Sequence, residues 1–191
     1  MNSFEYITVL VSIVIGLAIA DIATSLHRLL RAGRRVRWDW IAPTAAALVL
    51  LELFNLWWKW HGFSGDTLGE VMPYFAALLL LFLAASASLP DEVPADGIDL
   101  REFERSSHTY FWSVYIAFVV VWIGLRTALD IERGVSVESA FLQRWKDYAM
   151  IALYCVVIVA RRRWLSFAAL AGSLLWLGYG WWSLRLSGIA S

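Results

Sequence analysis

Long apolar runs separated by short polar segments extend along almost the whole chain. A helix needs about 20 mainly apolar residues to cross the roughly 30 Å hydrocarbon core of a bilayer. Runs that reach or approach this length cover residues 6–30, 40–60, 71–89, 109–129, 137–160 and 164–184. They lack the apolar–polar alternation of membrane barrel strands, so helices are expected. The pattern predicts an all-α integral membrane protein with six transmembrane helices.

Composition agrees with this assignment and favours a single membrane domain, residues 1–191. Hydrophobic residues make up 60% of the sequence, against about 45–50% in soluble domains. The formal net charge is zero, which gives no indication of nucleic-acid binding, and the lipid bilayer is the expected surrounding. Cys155 is the single cysteine and lies in an apolar run, so we expect a small buried side chain and no intramolecular disulfide.

Arginines are concentrated in two of the connecting segments. Five lie between residues 28 and 37, and three occupy residues 161–163. Six crossings put both segments on one face of the membrane, and the positive-inside rule makes that face cytoplasmic. Both termini are then predicted to lie outside. Most tryptophans, Trp112 among them, fall near predicted span ends and are expected to anchor the helices at the two interfaces.

Two connecting segments carry local signals. The inner connector, residues 90–108, includes DLREFERSSH, which predicts a short surface helix leading into the fourth span, either as a solvated connector or as a docking site for a cytosolic partner. The stretch SVESAF predicts that Ser136 caps the N-terminus of the fifth helix. Neither segment is long enough to form a soluble domain.

The two halves of the chain share three short blocks in the same order. These are IGL at 15–17 and 123–125, RWDWIA at 37–42 against RWKDYA at 144–149, and FAAL at 75–78 and 167–170. A three-plus-three repeat of residues 1–89 and 109–186 would be inverted, because each unit crosses the membrane an odd number of times. Many secondary transporters have this arrangement. Chance similarity between apolar segments is the alternative interpretation.

Polar residues within the second apolar run are the main candidates for function. Glu52, Asn55 and Lys59 in LVLLELFNLWWKWH are three and four residues apart, so they share one face of a helix. A carboxylate deep in a membrane is costly, and it normally faces water or a partner. Glu52 therefore indicates either a proton or ion path or an ion pair between helices.

Two further charged residues are secondary candidates for the same path. Asp21 in the first helix is either a second carboxylate on a proton route or the partner of Arg28 or another interfacial arginine. Arg126 in the fourth helix can approach Glu52, or it can pair locally with Asp130 four residues further on. The complete candidate path consists of Glu52, Asn55, Lys59, Asp21 and Arg126.

Signatures of enzymes, metal sites and cofactor sites are not found in the sequence. A phosphate-binding glycine loop, GxSxG and HExxH are all missing, so no catalytic activity is expected. One cysteine and three scattered histidines do not have the spacing of a structural zinc site. His27 and His108 would lie near the inner surface, as haem ligands from two helices or simply as interfacial histidines. We predict no metal and no cofactor.

The opening sequence resembles a family of bacterial proteins. FEYITVLVSIVIGLAIADIATSLHRLLRAGRRVRWDW followed by LLELFNLWWKW is similar to an uncharacterised family of bacterial multi-pass inner-membrane proteins. The shared features are the FEY start, the arginine-rich loop and the tryptophan-rich second helix, over about the first third of the chain. The resemblance implies a bacterial inner-membrane location. It implies no catalytic or binding residues, because the family has no established activity.

Three functions are compatible with these observations. The charges within the membrane and the repeat favour a small transporter or channel-like protein that moves a proton, an ion or a small solute. Ser12, Gly16 and Ala20 form a small-residue stripe, which favours close helix packing in the bundle, in a homodimer or with another membrane protein. The stripe therefore favours a non-catalytic accessory or assembly subunit of a larger complex. A membrane-embedded enzyme or cofactor binder is the third alternative.

Overall fold

The computed structural model describes residues 3–60 and 68–182, and most of them are helical. The helices are α1 (Ser3–Ala32), α2 (Ile41–Trp60), α3 (Leu68–Ser88), α4 (Leu100–Glu132), α5 (Val137–Leu142), α6 (Trp145–Ala160) and α7 (Arg163–Trp182). α1, α2, α3 and α7 begin within a few residues of the predicted runs. The prediction of a mainly α-helical protein is therefore confirmed, and residues 183–184 of the sixth predicted span lie outside the described part.

Four of the helices, α1 to α4, are long and apolar enough to cross a membrane by length and composition. They correspond to the first four predicted spans. The fifth and sixth predicted spans are not confirmed. α6 has only 16 residues. α7 has four tryptophans and three glycines, which contribute less to hydropathy than aliphatic residues do.

The long helices pack side by side in a bundle that has two different ends. α3 lies against both α1 and α4, α2 packs on α3 and α7, and α6 packs on α4. We call one end the basic end; it contains residues 33–40 and the loop between α6 and α7. We call the other the cleft end; α2, α4 and α7 finish there.

The predicted inverted repeat is not confirmed by this packing. α1 and α3 pack closely along each other. Their counterparts in the repeat, α4 and α7, make no comparable contact within the described residues, because α7 packs on α2 instead. The two three-helix units therefore pair their first and last helices differently.

The fifth predicted helix, residues 137–160, is interrupted after its first turns. Ser136 caps α5 by accepting a hydrogen bond from the backbone N–H of Ser139, which confirms the predicted cap. However, α5 has only 6 residues, and a new helix, α6, begins at Trp145. The prediction of one continuous helix was therefore wrong.

Arg144 explains the interruption, because its buried side chain is held by acids on both sides of the break. Arg144 is 6% exposed. Its guanidinium pairs with Asp130 of α4 and lies 3.6 Å from the carboxylate of Asp147 in α6. Asp130 is thus paired with Arg144, and the predicted local pair with Arg126 is not found among the described residues.

The connector before the fourth span also differs from the prediction. The segment DLREFERSSH is not a separate surface helix, since α4 begins at Leu100 and includes most of it. Asp99 caps this helix by accepting a hydrogen bond from the backbone N–H of Arg101 at 2.8 Å. The charged segment and the apolar span therefore form one continuous helix.

A short pair of strands at the basic end is an exception to the all-α prediction. β1 (Val36–Arg37) and β2 (Ile98–Asp99) pair in parallel. Gly97, just before β2, has a φ of 99°. A Cβ at this position would lie 2.4 Å from the carbonyl oxygen of Arg35. Only glycine allows this close approach.

Two side chains lie in surroundings that the sequence did not predict. Trp112 is 2% exposed and packs on Tyr154, with ring centroids 5.3 Å apart. It belongs to the core of the bundle, so its prediction as an interfacial anchor was wrong. Cys155 is exposed on α6 and points away from the bundle, whereas a buried thiol was expected.

Candidate functional site

A cavity that opens at the cleft end brings four of the predicted path residues together. This cleft has a volume of about 420 Å³ and lies between α2, α4, α6 and α7. Glu52, Asn55 and Lys59 line it from α2, and Arg126 lines it from α4. Trp181 at its rim is exposed. A cavity of this size has room for several waters or for a small solute.

Glu52 forms the deep end of the cleft. It precedes the last residue of α2 by eight positions, or about 12 Å of helix. Its carboxylate accepts a hydrogen bond from the Asn55 amide at 3.1 Å, and Asn55 itself is buried. The Tyr115 hydroxyl lies next to the same carboxylate. Within the described residues, neutral donors therefore hold Glu52, and the predicted ion pair between helices is not found.

A chain of hydroxyl groups runs from Glu52 along the wall of the cleft. Ser173 donates its hydrogen to the carbonyl of Ala169 at 2.7 Å. Because a hydroxyl has only one hydrogen, Ser173 must accept in its 2.7 Å contact with the Tyr154 hydroxyl. Tyr115 interacts with both Tyr154 and Glu52. Hydrogen-bonded hydroxyls of this kind polarise one another and can relay a proton.

The mouth of the cleft carries cations and aromatic rings. The ammonium of Lys59 lies 4.9 Å from the ring centroid of Trp122, a cation–π contact. Arg126, one turn further along α4, is exposed and lines the same wall. Asp147 of α6 also lines the cleft while it pairs with Arg144. Lys59 and Arg126 thus bring positive charge to the mouth, Asp147 is already paired with Arg144, and Glu52 lies at the deep end.

Asp21 is the one path candidate that does not line the cleft. It is half-buried on α1, which packs mainly on α3. The guanidinium of Arg28 donates to the backbone carbonyl of Asp91. In the described part of the chain, the predicted pair of Asp21 with Arg28 is therefore not formed, and no polar contact links Asp21 to Glu52.

The two histidines considered as haem ligands lie in different surroundings. His27 is exposed on α1. His108 is buried, and both of its ring nitrogens already have partners, Glu104 and the carbonyl of Val157. The two rings are therefore not presented as a facing pair. Residues 3–60 and 68–182 contain no group of three or more metal-ligating side chains, and His61 lies outside these ranges.

A second polar cluster lies at the basic end and connects four helices. Arg163 at the start of α7 donates to the carboxylate of Asp39, whose other oxygen accepts a hydrogen bond from Ile41 N at 3.1 Å. The Nε of Arg163 lies 4.0 Å from the Glu104 carboxylate. Glu104 contacts His108, and His108 reaches α6. The cluster therefore holds α2, α4, α6 and α7 together.

No known protein family, curated protein or solved structure matches this chain. Its function must therefore be argued from the geometry of the two polar sites. The cleft is the more open of the two, and the cluster at the basic end is the more tightly paired.

Several residues of both sites are not predicted from the sequence. Tyr115 and Tyr154 are recognisable as candidates for a polar site, because a phenolic hydroxyl deep in an apolar helix needs a hydrogen-bond partner. The i, i+4 spacing of Glu104 and His108 is visible in the sequence. Their polar neighbours predict a surface helix, however, and conceal the fact that this face of α4 is buried.

Proposed function

We propose that this protein is a small membrane transporter or channel-like protein in which the cleft leads a proton, an ion or a small solute to Glu52. The observation that carries the proposal is an open cleft that ends at a carboxylate held by neutral donors. Such an acid can bind and release a cation or proton, and an acid in a permanent ion pair cannot. The proposal includes no chemical conversion and no cofactor.

A proton is the cargo that the surroundings of Glu52 favour. Lys59 and Arg126 place two positive charges at the mouth of the cleft, and the acid Asp147 is already paired with Arg144, so the entrance disfavours metal cations. A proton can pass these residues through water in the cleft. Beside Glu52 on the wall of the cleft, Tyr115 and Tyr154 supply hydroxyl groups in series, and hydrogen-bonded hydroxyls can relay protons.

We also propose six crossings of a bacterial inner membrane, with both termini outside. α6 and α7 support this, because they pack in the same bundle as the four apolar helices and help to line the cleft. The arginines of residues 33–37 and 161–163 support a cytoplasmic basic end. The resemblance of the opening sequence supports the bacterial inner membrane. The inverted repeat stays a prediction that rests on the three sequence blocks.

Proton flux into liposomes tests the proposed function. The purified full-length protein is reconstituted around a pH-sensitive dye, and flux is driven by a potassium diffusion potential. We expect Glu52→Gln to reduce flux to less than about a tenth of wild type, because an amide cannot take up and give back the proton. Glu102→Gln is the matched control, since Glu102 is an exposed acid in the first turn of α4. Unchanged flux in Glu52→Gln would contradict the proposal.

A non-catalytic accessory subunit is the second candidate function, and the outer face of α1 favours it. Ser12, Gly16 and Ala20 are all exposed. A Cβ added at Gly16 would meet nothing within 4 Å, so the stripe is free for a helix of a second copy or of another membrane protein. Extraction in native lipid particles tests this. We expect the wild-type protein to be extracted with a bound partner and the Gly16→Leu variant to be extracted without it. Recovery of the wild-type protein as an isolated monomer would exclude the accessory-subunit function.

A further inference from the structure

Glu104 and His108 form a buried acid–base pair that the cleft does not use. They are 9% and 6% exposed. The Nε2 of His108 lies 3.1 Å from the carbonyl oxygen of Val157. A carbonyl only accepts, so this nitrogen must carry a hydrogen. The Nδ1 lies 3.0 Å from a carboxylate oxygen of Glu104. A second hydrogen must occupy this contact, because two bare acceptors at that distance repel each other.

Charged groups on the neighbouring elements let this pair exist in two protonation states. Arg163 of α7 has its Nε 4.0 Å from the free oxygen of Glu104, and it is itself paired with Asp39. Arg161 at the end of α6 donates to Thr109, the residue after His108, at 3.0 Å. These cations offset the negative charge that remains when the bridging hydrogen leaves. Without them, the deprotonated pair would be a buried and uncompensated anion.

A small pocket gives the pair access to water at the basic end. It has a volume of about 20 Å³, and its polar lining includes Ser88 and Ser107 in addition to the pair. Such a volume holds about one water. Towards the cleft, the buried rings of Phe111 and Trp112 separate the pair from Tyr115. The pair therefore exchanges protons with the basic end more readily than with the cleft.

We propose that Glu104 and His108 together form a proton-binding site at the basic end, separate from Glu52. The hydrogen between Nδ1 and the carboxylate passes to water in the pocket and leaves a neutral imidazole and a carboxylate; no other bond changes. An unperturbed histidine changes charge between about pH 5 and pH 8, which is the range in which cells operate. The role of this site in transport, as the site that exchanges protons with the basic end, rests on the proposed function.

The ring hydrogens of His108 test the proton site directly. Full-length protein with ¹⁵N-labelled histidine is placed in lipid nanodiscs and followed by NMR from about pH 5 to about pH 9. We expect the Nδ1 hydrogen to be lost within this range while the Nε2 hydrogen persists. His108→Gln assigns the signal, and His27→Gln, at the exposed histidine of α1, is the control. An Nδ1 hydrogen that persists throughout would overturn the proposal and indicate a permanent ion pair.

The carboxylate partner gives a second readout of the same site. Glu104→Gln is expected to move the midpoint of the His108 titration by about one pH unit or more, because it removes the charge beside the ring. An unchanged midpoint would show that the two groups do not act as a pair. The titration of wild type decides the proposal even if this variant does not fold.

Proton flux separates this proposal from the proposed function. We expect His108→Gln in liposomes to reduce flux about tenfold or more, as expected for loss of a positioned proton carrier, with His27→Gln at the wild-type rate. Flux that is lost in Glu52→Gln but unchanged in His108→Gln would remove the pair from the transport path and leave the cleft proposal intact. If the wild-type protein gives no proton flux, the transport proposal is overturned. The NMR titration then still tests whether Glu104 and His108 form a proton-binding site.

Discussion

Two acids, Glu52 and Glu104, lie towards opposite ends of the bundle in contrasting surroundings. Glu52 faces a cleft of about 420 Å³ and is held by neutral donors. Glu104 is 9% exposed, contacts His108 at 3.0 Å and borders a pocket of about 20 Å³. Open space around the first acid admits water or a ligand. The second has room for little more than a proton and one water.

The surrounding charges differ in the same way. At the mouth of the cleft, Lys59 lies over an aromatic ring and Arg126 is exposed, and neither forms an ion pair with an acid among the described residues. At the basic end, Arg163 of α7 connects Glu104 of α4 with Asp39, which accepts a hydrogen bond from the first residue of α2. Substitutions of Lys59 and Arg126 should therefore affect folding less than substitutions of the paired groups at the basic end.

The largest expected effect is the difference in stability loss between substitutions of two tryptophans, one towards each end of the bundle. Trp112 is 2% exposed in the core towards the basic end, whereas Trp176 lines the cleft and is 53% exposed. Trp112→Ala should lower the free energy of unfolding by about 3 kcal/mol, since it leaves a cavity among packed rings. Trp176→Ala should cost less than about 1 kcal/mol. Reversible unfolding in mixed detergent micelles measures both, and equal losses would refute the contrast between the ends.

A matched pair of arginines sharpens the comparison of charges. Arg163→Met leaves Asp39 without its partner at a partly buried site and should lower the free energy of unfolding by about 2 kcal/mol. Arg126→Met removes an exposed charge and should change it by less than about 0.5 kcal/mol. The same micelle titration measures both variants. A loss in Arg126→Met as large as that in Arg163→Met would mean that Arg126, like Arg163, is held in a stabilising ion pair.

The features of the two ends that depend on residue spacing within one helix are predictable from the sequence, and those that depend on packing between helices are not. The shared face of Glu52, Asn55 and Lys59 follows from helical spacing alone, and the structure places all three on one cavity. The surroundings of Glu52 depend on which helices pack against α2. Helical periodicity does not specify that, so Tyr115 and Tyr154 were missed.

The errors made from sequence have the same origin in long-range contacts. Asp21 is as deep in an apolar run as Glu52, but α1 packs mainly on α3, and this position does not reach the cleft. The apolar run at 137–160 predicts one helix, and the contact of Arg144 with Asp130 across a loop interrupts it. Hydropathy predicts that a segment is helical, and pairing between segments decides where the helix ends and which face is buried.

Two serines on one face of α7 provide the most sensitive comparison. Ser173 links the Tyr154 hydroxyl to the carbonyl of Ala169 at the cleft. Ser173→Ala should therefore lower the free energy of unfolding by about 1 kcal/mol, because the tyrosine hydroxyl loses its acceptor. Ser166, two turns closer to the basic end, is fully buried, and its hydroxyl has no hydrogen-bond partner among the described residues.

Ser166→Ala should therefore leave stability unchanged or raise it by up to about 1 kcal/mol, because it removes a desolvated hydroxyl that gains nothing in return. The two variants delete the same oxygen from the same helix, so helix propensity and side-chain volume cancel in the comparison. Unfolding in mixed micelles measures the difference, with proton flux of Ser173→Ala as a second readout. A loss in Ser166→Ala equal to that in Ser173→Ala would mean that the hydroxyl of Ser166 has a partner in the membrane, such as a bound water between the two sites.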